Sequence, residues 1–271
     1  GFAFAIKPVV IQFAVLLVVA RNIKALAGAA FGVMIALLLP VFLLGFDENL
    51  HQLRYWFESF VLDTAHLEAT LPLNYNFSPK GILYRLFTPV AGFASEGQQY
   101  SLLLFELSQG VINLLDWGIR VALLGWIVVF SLRQRKSINR FSSLAPWAMT
   151  FALTPILFPT AQKHYFVFLL PAYVYAVYGW YVLKKRDVRL AAFALGSFAV
   201  TSLTNRTFVG NFGAALFLAT GCFVFGSLLA ALAVVRASRL HYWIESEGAA
   251  DHVDPLLNSG KPHTRQVTTG V

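Results

Sequence analysis

Five polar residues follow one another at alternating intervals of 3 and 4 residues, in the order Glu106, Gln109, Asn113, Asp116 and Arg120. This spacing predicts a polar stripe along one face of a helix whose other faces carry Leu, Ile, Val and Trp. A charged group at membrane depth is costly unless it is paired or hydrated. We therefore expect the stripe to line a bundle interior or a wet cavity that opens outward. The alternative is an ion pair between Asp116 and Arg120 that only holds helices together.

A second candidate site consists of basic residues in segments that we place at the outer face of a membrane; they are Lys7, Lys80, Arg85, Lys163 and Arg206. Ammonium and guanidinium groups bind phosphate oxygens well. Together these side chains predict a site for a phosphate or diphosphate at the outer leaflet. For each residue taken singly, snorkelling of the side chain to the interface or helix capping is the alternative.

The third candidate is His164, which follows Gln162 and Lys163 at a predicted junction between helices. An imidazole there is either a group that takes part in chemistry or an interfacial hydrogen-bonding group. The sequence contains no Walker loop, GxSxG elbow, HExxH motif or CxxC pair. These absences argue against nucleotide hydrolysis, a serine-hydrolase elbow and a structural zinc site. The single cysteine, Cys222, lies in an apolar run and is expected to be a small core residue.

The composition predicts that these residues are carried by an all-α, polytopic integral membrane protein. Of the 271 residues, 58% are hydrophobic and 13% are charged, with a mean hydropathy of +0.65. Ordinary soluble domains carry about a quarter charged residues. Several apolar runs have the length that crosses a bilayer, and helices are the spanning structure that such runs form. We predict about seven spans, at 2–20, 25–45, 109–132, 144–160, 165–183, 190–204 and 213–235.

Basic residues cluster in alternate connections between these spans, near 21–24, 133–140, 184–189 and 236–239. By the positive-inside rule these four connections face the cytoplasm. The segment 46–106, the 161–164 turn and the 205–212 loop then lie outside. We expect a multi-pass protein of a bacterial plasma membrane with a cytoplasmic C-terminus. The net charge of +8 is then an orientation signal, and no nucleic-acid partner is expected.

The outer segment 46–106 is too long and too amphipathic for a simple connector. Apolar residues at helical spacing predict an interfacial helix; they are Leu50, Leu53, Phe57 and Phe60. A second short helix is predicted to begin with Ser78 as N-cap and Pro79 in its first turn. Gly92 and Gly97 predict a flexible turn before the next span.

Two units result from this organisation: a transmembrane helical domain over 1–239 and a disordered cytoplasmic tail over 240–271. The tail is rich in Gly, Ser, Thr, His and Pro. The chain begins with Gly1 inside an apolar run, which we interpret as the C-terminal part of a longer protein.

Three stretches carry a resemblance to a known family: Ile6-Lys7-Pro8, Asn74-Tyr75-Asn76-Phe77-Ser78 followed by Gly81-Ile82-Leu83, and Thr154-Pro155 through His164-Tyr165 with Leu169-Leu170-Pro171. They resemble the lysine-proline span, the outer Asn-x-Ser motif and the Ser-Pro to His hairpin of membrane glycosyltransferases of the C superfold. The chain is most similar to the C-terminal portion of glycosyltransferase family 87, the polyprenol-phosphate-mannose-dependent α-mannosyltransferases. The sequence departs from the family at Phe158-Pro159-Thr160-Ala161, where the family usually has a serine and a tryptophan.

The resemblance implies an inverting hexosyl or mannosyl transfer from a polyprenyl-phosphate-linked sugar to a lipid or glycan acceptor at the outer face. The donor phosphate would be bound by Lys7, Lys163 and Arg206. Asn74, Asn76 and Gln162 would bind sugar or acceptor hydroxyls, and His164 would be the catalytic residue as charge develops. No cofactor, nucleotide or metal is implied. The family's catalytic aspartate lies in a first outer loop that these residues do not include, so the chain alone would be inactive.

Two other classes of protein remain open. A transporter or channel would use the polar stripe as a solute path, although no internal repeat is apparent. An assembly subunit without chemistry is the third possibility. The sequence upstream of Gly1 discriminates among them, because an outer-loop acidic residue favours the enzyme and a repeat of the present spans favours the carrier.

Overall fold

The computed structural model describes residues 12–58, 76–89, 92–135, 140–158, 161, 163–183 and 187–246. The described chain is mostly helical. Its α-helices, in chain order, are α1 (Gln12–Val19), α2 (Ile23–Leu38), α3 (Val41–Leu44), α4 (Phe46–Trp56), α5 (Pro79–Phe87), α6 (Gln109–Gln134), α7 (Arg140–Leu157), α8 (Leu170–Leu183), α9 (Val188–Phe198), α10 (Arg206–Ala219) and α11 (Cys222–Ser246). A 3₁₀ segment, Lys163–Leu169, leads into α8, and a π-helical turn, Ala199–Leu203, follows α9.

Three helices within the described ranges are long and apolar enough to cross a membrane: Ile23–Leu44, which combines α2 and α3, Gln109–Gln134 and Cys222–Leu240. The helices Phe141–Leu157 and Val188–Leu203 are apolar but shorter. The first of the three buries none of its side chains against the protein, since Phe31 and Met34 are 58% and 48% exposed. Lipid is the medium in which such a surface is favourable.

The predicted segments agree with the structure to different degrees. The span predicted at 109–132 is helix α6 with nearly the same bounds. The span predicted at 213–235 is wrong in its start, because α10 ends at Ala219 and α11 begins at Cys222, with Gly221 at a φ of 87° between them. The span predicted at 165–183 is divided between the 3₁₀ segment and α8. Most of the span predicted at 2–20 lies outside the described residues.

The predicted tail also begins too early, because α11 continues to Ser246. After Gly226 the sequence has no glycine or proline before Gly248, so nothing in the backbone ends the helix near residue 240. Residues 247–271 lie outside the described residues.

A two-stranded hairpin interrupts the otherwise helical fold. Strand β1 (Phe93–Ser95) pairs antiparallel with β2 (Gln98–Tyr100), and Phe93 lies opposite Tyr100. Glu96 and Gly97 form the turn with φ values of 52° and 79°, a conformation that glycine adopts readily. Gly92 is held in place rather than flexible, because its N–H donates to the Tyr100 carbonyl at 2.8 Å.

The core of the molecule lies around α11, which packs against α7, α8 and α9. Met149, Leu153 and Ile156 of α7 are fully buried there. Small residues allow close approach between helices: a Cβ added at Gly226 would lie 2.2 Å from Cγ2 of Thr201. The Ser197 hydroxyl donates to the Gly226 carbonyl at 2.6 Å, so the same crossing is also hydrogen-bonded. Close packing and interhelical hydrogen bonds are what hold helices together in lipid.

An ion pair fixes the other end of the crossing between α9 and α11. Asp187 caps α9, accepting from the Leu190 N–H at 2.7 Å, and also accepts from Nε and Nη2 of Arg236 at 3.0 and 2.5 Å. Hydrogen bonding from Arg236 is the main reason that the pKa of Asp187 is lowered. The pair therefore stabilises the fold above the unfolded pKa of Asp187, and this contribution is lost as the pH falls through the folded pKa.

If α6 crosses the membrane, cysteines placed beyond its two ends should be accessible from opposite sides. We expect Glu96→Cys, at the exposed hairpin turn, and Arg135→Cys, at the exposed end of α6, to react with an impermeant thiol reagent from different faces of a sealed vesicle. Both variants are made in a Cys222→Ser background. The background protein without an added cysteine is the control for nonspecific labelling, and loss of Cys222, which is buried, removes no surface group. Reaction of both cysteines from one face would contradict a single crossing by α6.

Candidate functional site

The site is built on a cavity of about 740 Å³ that lies between α5, the hairpin, the start of the 3₁₀ segment and α10. Its described lining includes three basic residues, Arg85, Lys163 and Arg206, and no acidic one. One wall is apolar and is formed by Ala214, Ala215, Leu218 and Ala219 of α10. The volume falls in the range of pockets that hold a small molecule or a lipid head group. A cavity lined by cationic side chains next to an apolar surface suits an anion that is attached to an apolar group.

Three segments that the sequence predicts on one side of the membrane meet at this cavity. The segment 46–106 contributes α5 and the hairpin, the 161–164 turn contributes Lys163, and the 205–212 loop contributes Arg206. They are brought together by short backbone contacts, such as the hydrogen bond of 2.7 Å from the Phe77 N–H to the Ala161 carbonyl. Three of the five basic residues that were grouped by predicted sidedness, Arg85, Lys163 and Arg206, therefore line one cavity. Lys80 is not part of its lining, and Lys7 lies outside the described residues.

Arg85 is the buried member of the basic group, with 1% of its surface exposed. Its Nε donates to the Ala219 carbonyl at 3.0 Å, and its Nη1 donates to the Asn76 carbonyl at 2.9 Å. Burial lowers the pKa of Arg85 to about 10, so the side chain still carries its charge at neutral pH. Arg85 thus joins α5 to the last turn of α10 and places a positive charge at the cavity.

The local sequence of α5 explains this placement. Ser78 caps the helix, its hydroxyl accepting from the Gly81 N–H at 3.3 Å, and Pro79 occupies the first turn, as predicted. A Cβ at Gly81 would lie 2.4 Å from the Asn76 carbonyl oxygen, so only glycine permits this close approach. Seven residues after the cap, Arg85 lies on the buried side of the helix beside Tyr84.

Lys163 and Arg206 are exposed, in contrast with Arg85. Within the described part of the chain, neither side chain has a hydrogen bond or an ion pair. Arg206 begins α10 and is held by Asn205, whose side-chain oxygen accepts from the Thr207 N–H at 2.9 Å. Both cations line the cavity and are available to an incoming anion.

Asn76, predicted to bind a sugar or acceptor hydroxyl, has a structural role here. It is 9% exposed, and its side-chain oxygen accepts from the Ser78 and Ala161 N–H groups, each at 3.0 Å. These bonds attach the start of α5 to Ala161. They occupy the side-chain oxygen of Asn76 that would otherwise accept a hydrogen bond from a sugar hydroxyl. Asn76 is not among the residues that line the cavity. We therefore withdraw it from the binding site and regard it as a support for the site.

Removing this support should be costly. Asn76→Ala leaves two buried N–H groups without an acceptor, and we expect a loss of roughly 2 kcal/mol or more of stability. The measurement is the temperature at which the protein loses monodispersity in detergent. Asn76→Asp keeps an acceptor oxygen and should lose less. Equal stability of Asn76→Ala and the wild-type protein would contradict the structural role.

His164, the predicted catalytic residue, lies beside the cavity rather than in its lining. It is exposed at the start of the 3₁₀ segment, and its ring makes an edge contact with Tyr165 at a centroid distance of 4.6 Å. A role at the reacting atoms requires a substrate that extends past Lys163, so the assignment stays a prediction. The predicted ligands Lys7, Asn74 and Gln162 lie outside the described residues.

The polar stripe is only partly formed. Helix α6 begins at Gln109 with Ser108 as its N-cap, so Glu106 precedes the helix, and both Glu106 and Gln109 are exposed. Asn113 is half-buried, while Asp116 and Arg120 are 4% and 9% exposed. None of the five lines the cavity. Glu106 therefore does not belong to the helical stripe, and a cavity-lining role for the other four residues stays a prediction.

Asp116 and Arg120 form the ion pair that was the alternative for this stripe. Nε and Nη2 of Arg120 lie 2.9 and 2.8 Å from Oδ2 of Asp116. Nη1 of Arg120 donates to the Leu157 carbonyl at 3.1 Å, which ties α6 to the end of α7. The pair thus compensates two buried charges and joins two helices, although Oδ1 of Asp116 is buried without a hydrogen-bond partner among the described residues.

Two features of the site were missed from the sequence. Arg85 was grouped with the predicted phosphate site, but its burial and its bonds between α5 and α10 were not foreseen, and the α10 wall was interpreted as part of a loop and a span. A signal for Arg85 was available, because it falls on the same helical face as Ile82, one turn earlier. Within the described ranges, no group of three His, Cys, Asp or Glu residues is placed to hold a metal ion. The chemistry that the arrangement supports is recognition of an anion.

Comparison of the chain with family models, curated proteins and solved structures gave no match.

Proposed function

We propose that this chain is part of a multi-pass membrane glycosyltransferase that uses a polyprenyl-phosphate-linked sugar as donor. The observation that carries the proposal is the cavity in which Arg85, Lys163 and Arg206 meet beside the apolar wall of α10. A prenyl-phosphate sugar has the matching parts: a phosphate, an apolar chain and a sugar. The candidate membrane-crossing helices of the same chain would place the site next to the bilayer in which such a lipid resides.

The roles of the residues follow from their exposure. Lys163 and Arg206 would bind the phosphate oxygens directly, because both are exposed at the cavity and have no other hydrogen-bond partner in the described chain. Arg85 would contribute its positive charge from the buried side while it holds α5 against α10. As the bond between sugar and phosphate breaks, negative charge grows on the phosphate, and the three cations of the cavity would stabilise it. His164 would act on a part of the substrate that extends beyond Lys163.

The transporter or channel alternative relied on the polar stripe as a solute path. Asp116 and Arg120 are paired with each other, and Glu106 and Gln109 lie at the exposed start of α6. The stripe therefore gives no specific support to a path through the bundle, and we retain glycosyl transfer as the proposal.

Transfer assays test the proposal in the natural protein, reconstituted in vesicles with a labelled polyprenyl-phosphate hexose. Lys163→Met and Arg206→Met should each weaken use of the donor by about tenfold, because each removes one charge-assisted contact to phosphate. Arg135→Met, an exposed cation at the far end of α6, is the matched control and should leave transfer unchanged.

Two outcomes would overturn parts of the proposal. Absence of transfer from any prenyl-phosphate sugar, together with movement of a solute across the vesicle membrane, would replace the enzyme with a transporter. Full activity of a His164→Ala variant would leave the enzyme class intact but would remove His164 from the catalytic group.

A further inference from the structure

The exposed cation Arg206 is carried by a short hydrogen-bonded turn, residues 205–209, which we call the Arg206 turn. The Asn205 carbonyl accepts from the Phe208 and Val209 N–H groups, both at 3.1 Å. The Asn205 side chain accepts from the Thr207 N–H at 2.9 Å and donates to the Ser202 carbonyl at 2.9 Å. These bonds hold the turn in one shape and attach it to the preceding π-helical turn at Ser202. Thr204, just before the turn, is fixed: its hydroxyl donates to the Val200 carbonyl at 2.7 Å and lies 3.6 Å from Sγ of Cys222.

The backbone on both sides of the Arg206 turn is irregular. The π-helical turn Ala199–Leu203 precedes it. Gly210 follows it with φ 72° and ψ 176°, a combination essentially restricted to glycine. A Cβ at Gly210 would meet no atom within 4 Å, so the space around this position is open. Glycine is required here by the backbone and not by packing.

Beyond Gly210 the helix is anchored. The ring of Phe212 makes edge contacts with Phe93 and Tyr100 of the hairpin, at centroid distances of 5.6 and 5.2 Å. Phe208, by contrast, is 66% exposed on the turn. Gly210 therefore separates the short exposed turn that carries Arg206, which is attached to the π-helical turn only on its N-terminal side, from the anchored part of α10 that forms the apolar wall of the cavity.

The positive charges that line the cavity make the position of the Arg206 turn sensitive to a bound anion. Arg206 lines the same cavity as Lys163 and Arg85, so the three positive charges oppose an inward movement of the turn when the cavity holds no anion. A phosphate among them reverses the sign of the interaction. A ligand shifts such an equilibrium only through its different affinity for the two positions, and this difference is supplied by the contact with Arg206.

We propose that the Arg206 turn is a hinged clamp that pivots at Gly210 and closes Arg206 onto a phosphate group bound in the cavity. The inference rests on the proposed function for the phosphate ligand and adds the mechanism by which the site retains it. The shared chemistry of the ligand is a phosphate group, either carried by a prenyl lipid or free in solution, and the two sources are separated by the probes below.

The test is a distance measurement between spin labels at Glu96→Cys, on the exposed hairpin turn, and Phe208→Cys, on the Arg206 turn, in a Cys222→Ser background in nanodiscs. The probes are farnesyl phosphate and inorganic phosphate, with binding of each followed separately by calorimetry. We expect farnesyl phosphate to shift the distance distribution to shorter values. A shift with farnesyl phosphate alone identifies a lipid phosphate as the ligand, whereas an equal shift with both identifies the phosphate alone.

Two variants test the parts of the clamp. Gly210→Ala confines the backbone to conformations that an L-residue tolerates, so the distance should be the same with and without ligand. Arg206→Met keeps the hinge but should lose the shift and about tenfold in affinity. Gly118→Ala, at an open helical position, is the matched control and should behave as the wild-type protein.

The outcomes separate the clamp from the proposed function. Binding of farnesyl phosphate without any change in distance overturns the clamp and leaves the proposed ligand intact. A ligand-driven shift in Gly210→Ala equal to that of the wild-type protein overturns the hinge at Gly210. Absence of binding by either probe overturns both the clamp and the phosphate site.

Discussion

Asp116→Leu is expected to destabilise the protein by roughly 3–5 kcal/mol, because it leaves Arg120 buried without a counter-charge. The guanidinium group of Arg120 makes two of its contacts to Oδ2 of Asp116 and one to the Leu157 carbonyl. After the substitution only the carbonyl contact remains. The measurement is the fraction of protein that stays monodisperse in detergent after heating, compared with the wild-type protein.

A second variant separates loss of charge pairing from loss of a polar group. Asp116→Leu with Arg120→Met replaces both partners with apolar side chains of similar size, and most of the stability should return. Gln109→Leu is the matched control, since Gln109 is exposed at the start of the same helix. If Asp116→Leu folds as well as the wild-type protein but loses function, the pair is not a helix-joining contact and a role in a wet cavity regains support.

Local signals in the sequence predicted local structure well. Ser78 followed by Pro79 predicted the start of α5, and the side-chain cap is present, because capping depends on residues only a few positions apart. The span at 109–132 was placed nearly correctly because its apolar composition is continuous. The spacing of Asp116 and Arg120 likewise allowed their pairing to be foreseen as an alternative.

Predictions failed where contacts between distant segments decide the structure. The break between α10 and α11 occurs at Gly221, which lies against Ile82 of α5, where an added Cβ would be 2.3 Å from Cδ1 of Ile82. The apolar composition of the span predicted at 213–235 does not indicate that contact. Asn76 was assigned to a ligand from the resemblance of its stretch to an outer Asn-x-Ser motif, but its side-chain oxygen accepts from the Ala161 N–H, 85 residues away. Side-chain type predicts which bonds are possible, and packing determines which of them form.

The same distinction applies to the basic residues of the cavity. Grouping them by predicted sidedness brought Lys163, Arg206 and Arg85 together correctly, because all three belong to segments that meet in space. Their sequence environments did not reveal that Arg85 is buried and Arg206 exposed. That difference separates a residue that builds the cavity from one that is free to bind in it, and it is testable.

Arg85→Met should cost both stability and phosphate binding, whereas Arg206→Met should cost binding alone. Arg85 donates to the Asn76 and Ala219 carbonyls, and both would be left buried without this donor, for a loss of roughly 2–4 kcal/mol. Arg206 is exposed and has no hydrogen-bond partner in the described chain, so its removal should leave the melting temperature within error of the wild-type value. Melting in detergent and calorimetric binding of farnesyl phosphate, measured on the same preparations, give both quantities.

Arg54→Met is the matched control for these two variants, because Arg54 of α4 forms an exposed ion pair with Glu58, just beyond the helix, and such pairs contribute little. It should change neither melting nor binding. Arg85→Lys should recover part of the binding but not the bonds to both carbonyls, since an ammonium group lacks the planar fork of a guanidinium group. An Arg85→Met protein as stable as the wild type would show that the two carbonyls find other donors. If that stable variant also bound farnesyl phosphate normally, Arg85 would have no part in the site, and the phosphate would be bound by Lys163 and Arg206 alone.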